Sequence, residues 1–289
     1  MITINKETVK LFNLTILSLL FLALNSILCK AALLNNYIDA YSFTFLRLFF
    51  GAFTLLLIYF YKNKKLDFNI KTNWITSFML FLYAVSFSYS YVEIEAGFGA
   101  LLLFGVVQVL MLSSSYFKKE KFTIKKNLGI ILAFLGLVYL LFPSENFELS
   151  YYHVFLMILA GLSWAVYSIL GKSSFDALFD TSDNFIKATI FIVIFYFIIP
   201  IDNISITNNG ILLAFISGSL TSAIGYVVWY KVLPQIEVFT ASIIQLFIPV
   251  IAIILSIIFL DEILTFKLLI SSIIIFCGIL LAVVPSNIR

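Results

Sequence analysis

The chain has 289 residues, of which 62% are hydrophobic and only 11% charged, with a formal net charge of +3. A soluble core of this size cannot hide so much apolar surface from water, so lipid has to cover the remainder. The composition therefore excludes a soluble enzyme or a nucleic-acid-binding domain.

A helix crossing about 30 Å of hydrocarbon needs about 20 mostly apolar residues. Ten stretches qualify or nearly do, spanning approximately 11–33, 41–61, 73–92, 97–117, 127–142, 152–171, 185–200, 211–231, 238–260 and 268–284. The fifth and seventh look short. All are apolar around their whole circumference rather than in alternation, which argues against a transmembrane barrel. Only tight connections remain between them, so the predicted fold is an all-α integral membrane protein of ten transmembrane helices with no soluble domain. The amino-terminal "MITINKETVK" runs straight into the first apolar segment without an obvious small-residue cleavage site, and is read as leading into an uncleaved helix. Cys29 and Cys277 sit inside apolar segments without CxxC or metal-type spacing and are read as packed thiols.

The chain repeats itself. "ALNSILCKAA" from Ala23 returns as "AVYSILGKSS" from Ala165, an offset of 142 residues (165 minus 23). The same offset aligns Glu95–Ser144 with Glu237–Ser286 without a gap, matching Glu95 to Glu237, Glu120 to Glu262, Lys125 to Lys267, Gly136 to Gly278 and Pro143 to Pro285. Apolar helices resemble one another by composition, but a shared register of charged, glycine and proline positions needs duplication. The two units are expected at residues 1–144 and 145–289. Because each holds five helices, an odd number, they must lie in opposite orientations across the membrane, the inverted-repeat construction of secondary transporters.

Charge placement gives the orientation. With the amino terminus in the cytoplasm, the inside loops collect Lys6, Lys10, the lysines of 62–71 and 118–126, Lys172, Lys187, Lys231 and Arg289, while the outside loops keep only Lys267. This is the positive-inside pattern. It is expected to place both termini in the cytoplasm of a plasma (inner) membrane protein, and it assigns the net charge to topology rather than to nucleic-acid binding.

Five stretches carry a family resemblance: "SILCKAA", "FLRLFFGA", "GALLLFGVVQVLM", "LTSAIGYVVWYKVL" and "ASIIQLFIPVIAIILSIIFLDE". In this order, within a duplicated ten-helix layout, they resemble the EamA-type branch of the drug/metabolite transporter superfamily over essentially the whole chain. The resemblance implies movement of a small organic solute, often an amino acid or related metabolite and often outward, through a cavity between the halves. The family commonly has Gly-Glu after the fourth and ninth helices, where this chain has Lys119-Glu120 and Asp261-Glu262. That departure concerns how those helix ends pack.

Polar groups inside a membrane are costly and normally face the bundle interior or a wet cavity. The substrate-binding candidates are Asn25, Lys30, Arg47, Gln108, Trp164, Tyr167, Tyr226, Trp229 and Gln245. Lys30 and its repeat partner Lys172 could equally snorkel to the headgroups. Arg47, about two turns into the second helix, suits either an ion pair with a loop acid such as Asp39 or attraction of an anionic group. Tyr226 and Trp229 belong to an aromatic stripe that serves packing or a cavity for amphipathic solutes. Gln108 and Gln245 can hydrogen-bond between helices, and Pro249 should kink the ninth helix beside Gln245. The small residues Gly97, Gly99, Gly105, Gly218 and Gly225 read as helix packing.

A membrane enzyme would cluster acids or histidines; the chain has one histidine, His153, and no HExxH or phosphate-cradling motif. No filter-like loop suggests a channel. The predicted function is a secondary transporter, exporting amino acids or related metabolites by alternating access; the alternative is an importer of metabolites or nucleotide-like solutes, or a non-transporting membrane protein. Catalytic residues, metals and cofactors are expected to be absent. The expected partners are the lipid bilayer and a small-molecule substrate, with no nucleic acid, in a monomer or homodimer. No acid falls mid-span by this reading and only Lys30, Arg47 and Lys172 are embedded, which suggests a facilitator rather than a proton-coupled carrier.

Overall fold

The computed structural model describes residues 6–64, 74–117, 124–142, 150–199 and 204–283. The loop lysines Lys65, Lys71, Lys118, Lys119 and Lys121, together with Glu120, Pro143, Pro285 and Arg289, lie outside the described residues. Helices α1 (Lys6–Leu34), α2 (Ala40–Asn63), α3 (Trp74–Ser90), α4 (Ala96–Phe117) and α5 (Ile124–Leu141) form the first unit. Helices α6 (Tyr151–Gly171), α7 (Ala177–Ile198), α8 (Asn208–Gln235), α9 (Val238–Leu260) and α10 (Phe266–Val283) form the second. Seven are long and apolar enough to cross a membrane, and α3, α5 and α10 are shorter apolar helices. The face where α1 begins is called the near face below, and the opposite one the far face.

Packing follows the duplication. Helix α3 lies against α6 as α8 lies against α1, and α4 lies against α6 as α9 lies against α1. Pairs α2–α7, α4–α9 and α5–α10 join equivalent helices of the two units, as expected around a pseudo-twofold axis. Large apolar side chains such as Phe12, Phe53, Phe197 and Ile258 are left on the outside, where lipid rather than water is their natural solvent. Cys29 is buried, but Cys277 lies on the exposed side of α10 rather than in the packing.

Side-chain caps start several spans. Asp39 accepts from the Ser42 N–H at 2.9 Å, Asp176 from the Leu178 and Phe179 N–H groups at 3.0 and 3.1 Å, and Thr207 from Gly210 at 3.2 Å. Each supplies an acceptor for the orphan N–H groups of a first turn. The Asp176 cap corrects the seventh span, which begins at Ala177 and not near 185. Its first turns carry Asp180, Asp183, Asn184 and Lys187, a polar run that hydropathy reads as a loop. At the end of α9, Asp261 holds φ of 54°, a left-handed conformation that glycine adopts without strain and aspartate tolerates. The helix end therefore takes a left-handed cap with aspartate where glycine would fit without strain.

Helix α8 is irregular where it matters. Residues Ile216–Ile224 form a π-helical stretch between two α-helical pieces, a rare form that is frequent at functional sites. It coincides with the run "SGSLTS" from Ser217 to Ser222. Gly218 lies so close to α2 that an added Cβ would stand 2.4 Å from the Arg47 carbonyl oxygen. Helix α9 breaks after Ile244 and resumes at Phe247, beside Gln245, as the proline at 249 predicts.

Candidate functional site

The bundle centre holds a connected polar network walled by aromatic rings. Arg47, 1% exposed, donates from Nε to Ser222 Oγ at 2.8 Å and from Nη2 to the Tyr226 hydroxyl at 2.7 Å. Its guanidinium carbon lies 5.5 and 5.1 Å from the ring centres of Tyr83 and Phe87, within cation–π range. Asn25 Oδ1 accepts from the hydroxyls of Ser217, Thr221 and Ser222 at 3.0, 2.6 and 3.1 Å. The π-helical register is what brings these three side chains onto one acceptor. Ser222 Oγ thus joins Asn25 to Arg47, and α1 and α2 to α8.

The wall continues into the second unit. The Trp164 ring packs 5.0 Å from Tyr83 and 4.9 Å from Tyr226, and its Nε1 donates to Gln245 Oε1 at 2.8 Å. Gln245 Nε2 reaches the Ala241 carbonyl at 3.2 Å and Met111 Sδ at 3.4 Å. The Tyr167 ring packs at a tilt against Tyr226 and Tyr230, and the Tyr230 hydroxyl donates to the Tyr167 carbonyl at 3.1 Å. Among the described residues, four buried side-chain atoms lack a hydrogen-bond partner: Asn25 Nδ2, Arg47 Nη1, Gln108 Oε1 and Tyr167 Oη. Buried polar groups are normally satisfied, so a concentration of unmet ones in one bundle calls for an explanation.

Six of the nine sequence candidates therefore meet in one network: Asn25, Arg47, Trp164, Tyr167, Tyr226 and Gln245. Three do not. Gln108 donates to the Ser242 carbonyl and braces α4 on α9. Trp229 is fully buried between α8 and α6, with Nε1 donating to Ser168 Oγ at 3.3 Å. Lys30 is 5% exposed and donates to the Tyr91 carbonyl at 3.1 Å, so it does not snorkel to headgroups. It instead lies at the far-face end of the bundle. Lys172 is half-buried at the end of α6.

Two further expectations are corrected. Arg47 does not pair with Asp39, whose carboxylate is taken by the Ser42 and Ser205 N–H groups at 2.9 and 3.0 Å. Nor are Lys30, Arg47 and Lys172 the only embedded charges: Asp183 and Lys187 form a buried ion pair at 2.7 Å on α7. The reading that placed no acid inside a span rested on a helix start at 185 that the Asp176 cap moves upstream. Sequence reasoning also passed over Tyr83, Ser217 and Thr221; the hydroxyl-rich "SGSLTS" run was the signal for the latter two, and Tyr83 had none.

The two faces differ. On the near face a pocket of about 270 Å³ is lined by Thr76, Asp176, Asp180, Asp183, Asn184 and Tyr230, among others. From its lining residue Tyr230 a run of tilted rings continues through Tyr167 to Tyr226, the hydroxyl partner of Arg47, with centroid distances of 4.8 and 6.2 Å. On the far face, contacts between the units close the bundle. Backbone bonds join Asp39 to Ser205 at 2.9 Å and Thr207 to Tyr37 at 2.8 Å. The Glu262 carboxylate accepts from the Ala96 and Gly97 N–H groups at 2.5 and 2.9 Å, capping α4 from the other half.

Half-buried Glu95 stands next to this cap. Its carboxyl is raised above the ordinary glutamate range by burial first and by the Glu262 charge second, with Lys30 opposing. An acid with a raised folded-state pKa gives stability that is present below its unfolded value and lost as pH rises through the folded one. Glu95 should therefore subtract thermal stability on going from pH 4.5 to pH 7, and Glu95→Gln should lose less than wild type over that window. Equal losses in the two proteins would contradict this account of Glu95.

Comparison with known proteins agrees with this architecture. A crystal structure 13% identical in sequence matches 90% of this chain and 98% of its own at a TM-score of 0.64, a likeness of fold. The uncharacterized protein PA1977 of Pseudomonas aeruginosa is 36% identical over 272 residues, 94% of each chain. The uncharacterized transporter YoaV of Bacillus subtilis is 26% identical, covering 82% of this chain and 85% of its own. The model of the EamA-like transporter family matches twice, at residues 11–142 and 152–284, in step with the two five-helix units. With the duplication, the ten-helix bundle and both family matches in agreement, the chain belongs to the EamA-like transporter family, a branch of the drug/metabolite transporter superfamily whose members move small solutes across membranes.

Proposed function

We propose that this transporter exports amino acids or related metabolites across the plasma membrane by alternating access, with both termini in the cytoplasm and the near face inward. The observation that carries the reading is the asymmetry of the bundle. A near-face pocket reaches Tyr230, whose ring borders the buried polar and aromatic network, while hydrogen bonds between the two units join their far-face ends. A solute entering from the near face would meet the chamber at the interface of the halves, where inverted-repeat carriers bind their substrates. The carboxylates of Asp176 and Asp180 at the pocket, beside the internally paired Asp183, favour solutes with a cationic group over phosphate-rich ones, which disfavours the nucleotide-like alternative.

Proteoliposomes loaded with a mixture of the twenty amino acids test the reading. The protein should accelerate release of a subset at similar rates with and without an imposed pH gradient, the behaviour of a facilitator. Release no faster than from empty liposomes would remove the amino-acid reading, and accumulation driven by the pH gradient alone would replace facilitation by proton coupling. The orientation is checked separately in cells. Cysteine at Asn36, in the α1–α2 turn, should react with an impermeant maleimide from outside, and cysteine at Asn63, at the end of α2, should not. The reverse pattern would invert the topology. Asn203, the natural second far-face position, lies outside the described residues.

A further inference from the structure

The guanidinium of Arg47 is more thoroughly buried than its partners justify. A structural arginine inside a bundle normally sits against a carboxylate, because an embedded cation left without a counter-charge costs several kcal/mol. Here the partners are two hydroxyls and two ring faces, and Nη1 donates to nothing. No acid touches Arg47 among the described residues. The acids of α7 are engaged elsewhere or face the near-face pocket: Asp183 holds Lys187, and Asp180 accepts from Ser174. A second member of the network, one hydroxyl away, has the same shortfall. Asn25, which shares Ser222 Oγ with Arg47, keeps its Nδ2 unused.

From this we infer that Arg47 is the anchor for a carboxylate of the transported solute, received through Nη1 with Asn25 Nδ2 as second donor and the rings of Tyr83, Phe87, Trp164 and Tyr226 around the solute's apolar part. The assignment rests on the transport reading above and narrows its substrate class to small carboxylates. Three features favour this anion. A carboxylate offers two acceptor oxygens to two unused donors, charge-assisted hydrogen bonds in a dry site are the strong ones, and the planar guanidinium suits a planar acceptor. The ring walls exclude water, so the pair forms in a low-dielectric setting where it is worth most. They also limit the solute to one whose remainder tolerates aromatic contact. Ser222, Tyr226 and the ring faces hold the guanidinium in place, which leaves Nη1 and Asn25 Nδ2 as the donors an acceptor would engage.

The test compares each carboxylate with its own amide, which preserves shape and removes the charge. Purified protein in nanodiscs is titrated with L-phenylalanine, L-leucine, L-threonine and 3-phenylpropionate and with the four corresponding amides, reading tryptophan fluorescence, to which the chamber residue Trp164 contributes. At least one carboxylate should bind roughly tenfold or more tighter than its amide. Arg47→Gln should abolish that preference, and Arg47→Lys should retain part of it. The wild-type comparison stands by itself should Arg47→Gln not fold. Binding of no carboxylate in the panel, equal binding of acids and amides, or a preference that survives Arg47→Gln would each overturn the assignment. Flux in proteoliposomes separates it from the broader reading. Carboxylates that bind but do not cross would sink transport and leave the anchor standing, whereas solutes that cross with no preference for a carboxylate would do the opposite.

Discussion

Gly218→Ala should lower the folded yield several-fold and leave the surviving protein with little transport. The methyl group would sit 2.4 Å from the Arg47 carbonyl oxygen and 3.1 Å from the carbonyl carbon. Those neighbours are backbone, so no side chain can rotate away and the helices themselves must part. Overpacking of this kind typically costs about 1–3 kcal/mol where the neighbours can shift, and more where they cannot. The displaced segment carries Ser222 and Tyr226, so separating α8 from α2 also stretches both side-chain bonds that hold Arg47. Gly105→Ala is the matched control, since the three atoms nearest its methyl all belong to the Leu137 side chain, which has other rotamers to adopt. Thermal unfolding in detergent, followed by size-exclusion recovery, should rank wild type above Gly105→Ala and Gly105→Ala well above Gly218→Ala. Equal behaviour of the two variants would mean that the α2–α8 contact is looser than its geometry indicates.

The contrast between those glycines shows how much of the molecule hydropathy and spacing could reach. The spans were legible because lipid imposes a length and a composition on each of them, and the duplication was legible because charged, glycine and proline positions kept a common offset. Helix α7 was misread at its start for a physical reason. Asp180, Asp183, Asn184 and Lys187 are polar enough to look like a loop, yet three of them are nearly fully buried and partnered by one another or by neighbouring helices. Six polar candidates that stood out in apolar surroundings, Arg47 and Asn25 foremost, come together at the centre. Their partners Ser217, Thr221 and Tyr83 did not stand out, because serine, threonine and tyrosine occur throughout these helices. The π-helical stretch that gathers the hydroxyls has no hydropathy signature, since it changes the hydrogen-bond register and not the composition. Lys30 illustrates the remaining ambiguity. A lysine one turn from a helix end reads the same whether it reaches outward to headgroups or inward to the Tyr91 carbonyl, and only packing separates the two.

Breaking the Asp183–Lys187 pair from one side should be among the most damaging changes available in the second unit. Both side chains are at least nine-tenths buried, joined at 2.7 Å one helical turn apart, with the Trp74 ring 4.9 Å from the lysine nitrogen. Removing one member of a buried pair leaves the other charge desolvated, a loss of about 3–5 kcal/mol, whereas replacing both by apolar groups of similar size is often neutral. Asp183→Leu and Lys187→Met should therefore each unfold at markedly lower temperature than wild type, and the double variant should recover most of the difference. The recovery is the informative quantity, because neighbouring sites that do not interact would give additive losses instead. Unfolding in nanodiscs of the four proteins measures it directly. A double variant as unstable as the sum of the singles would mean that the two charges are held by separate partners and not by each other.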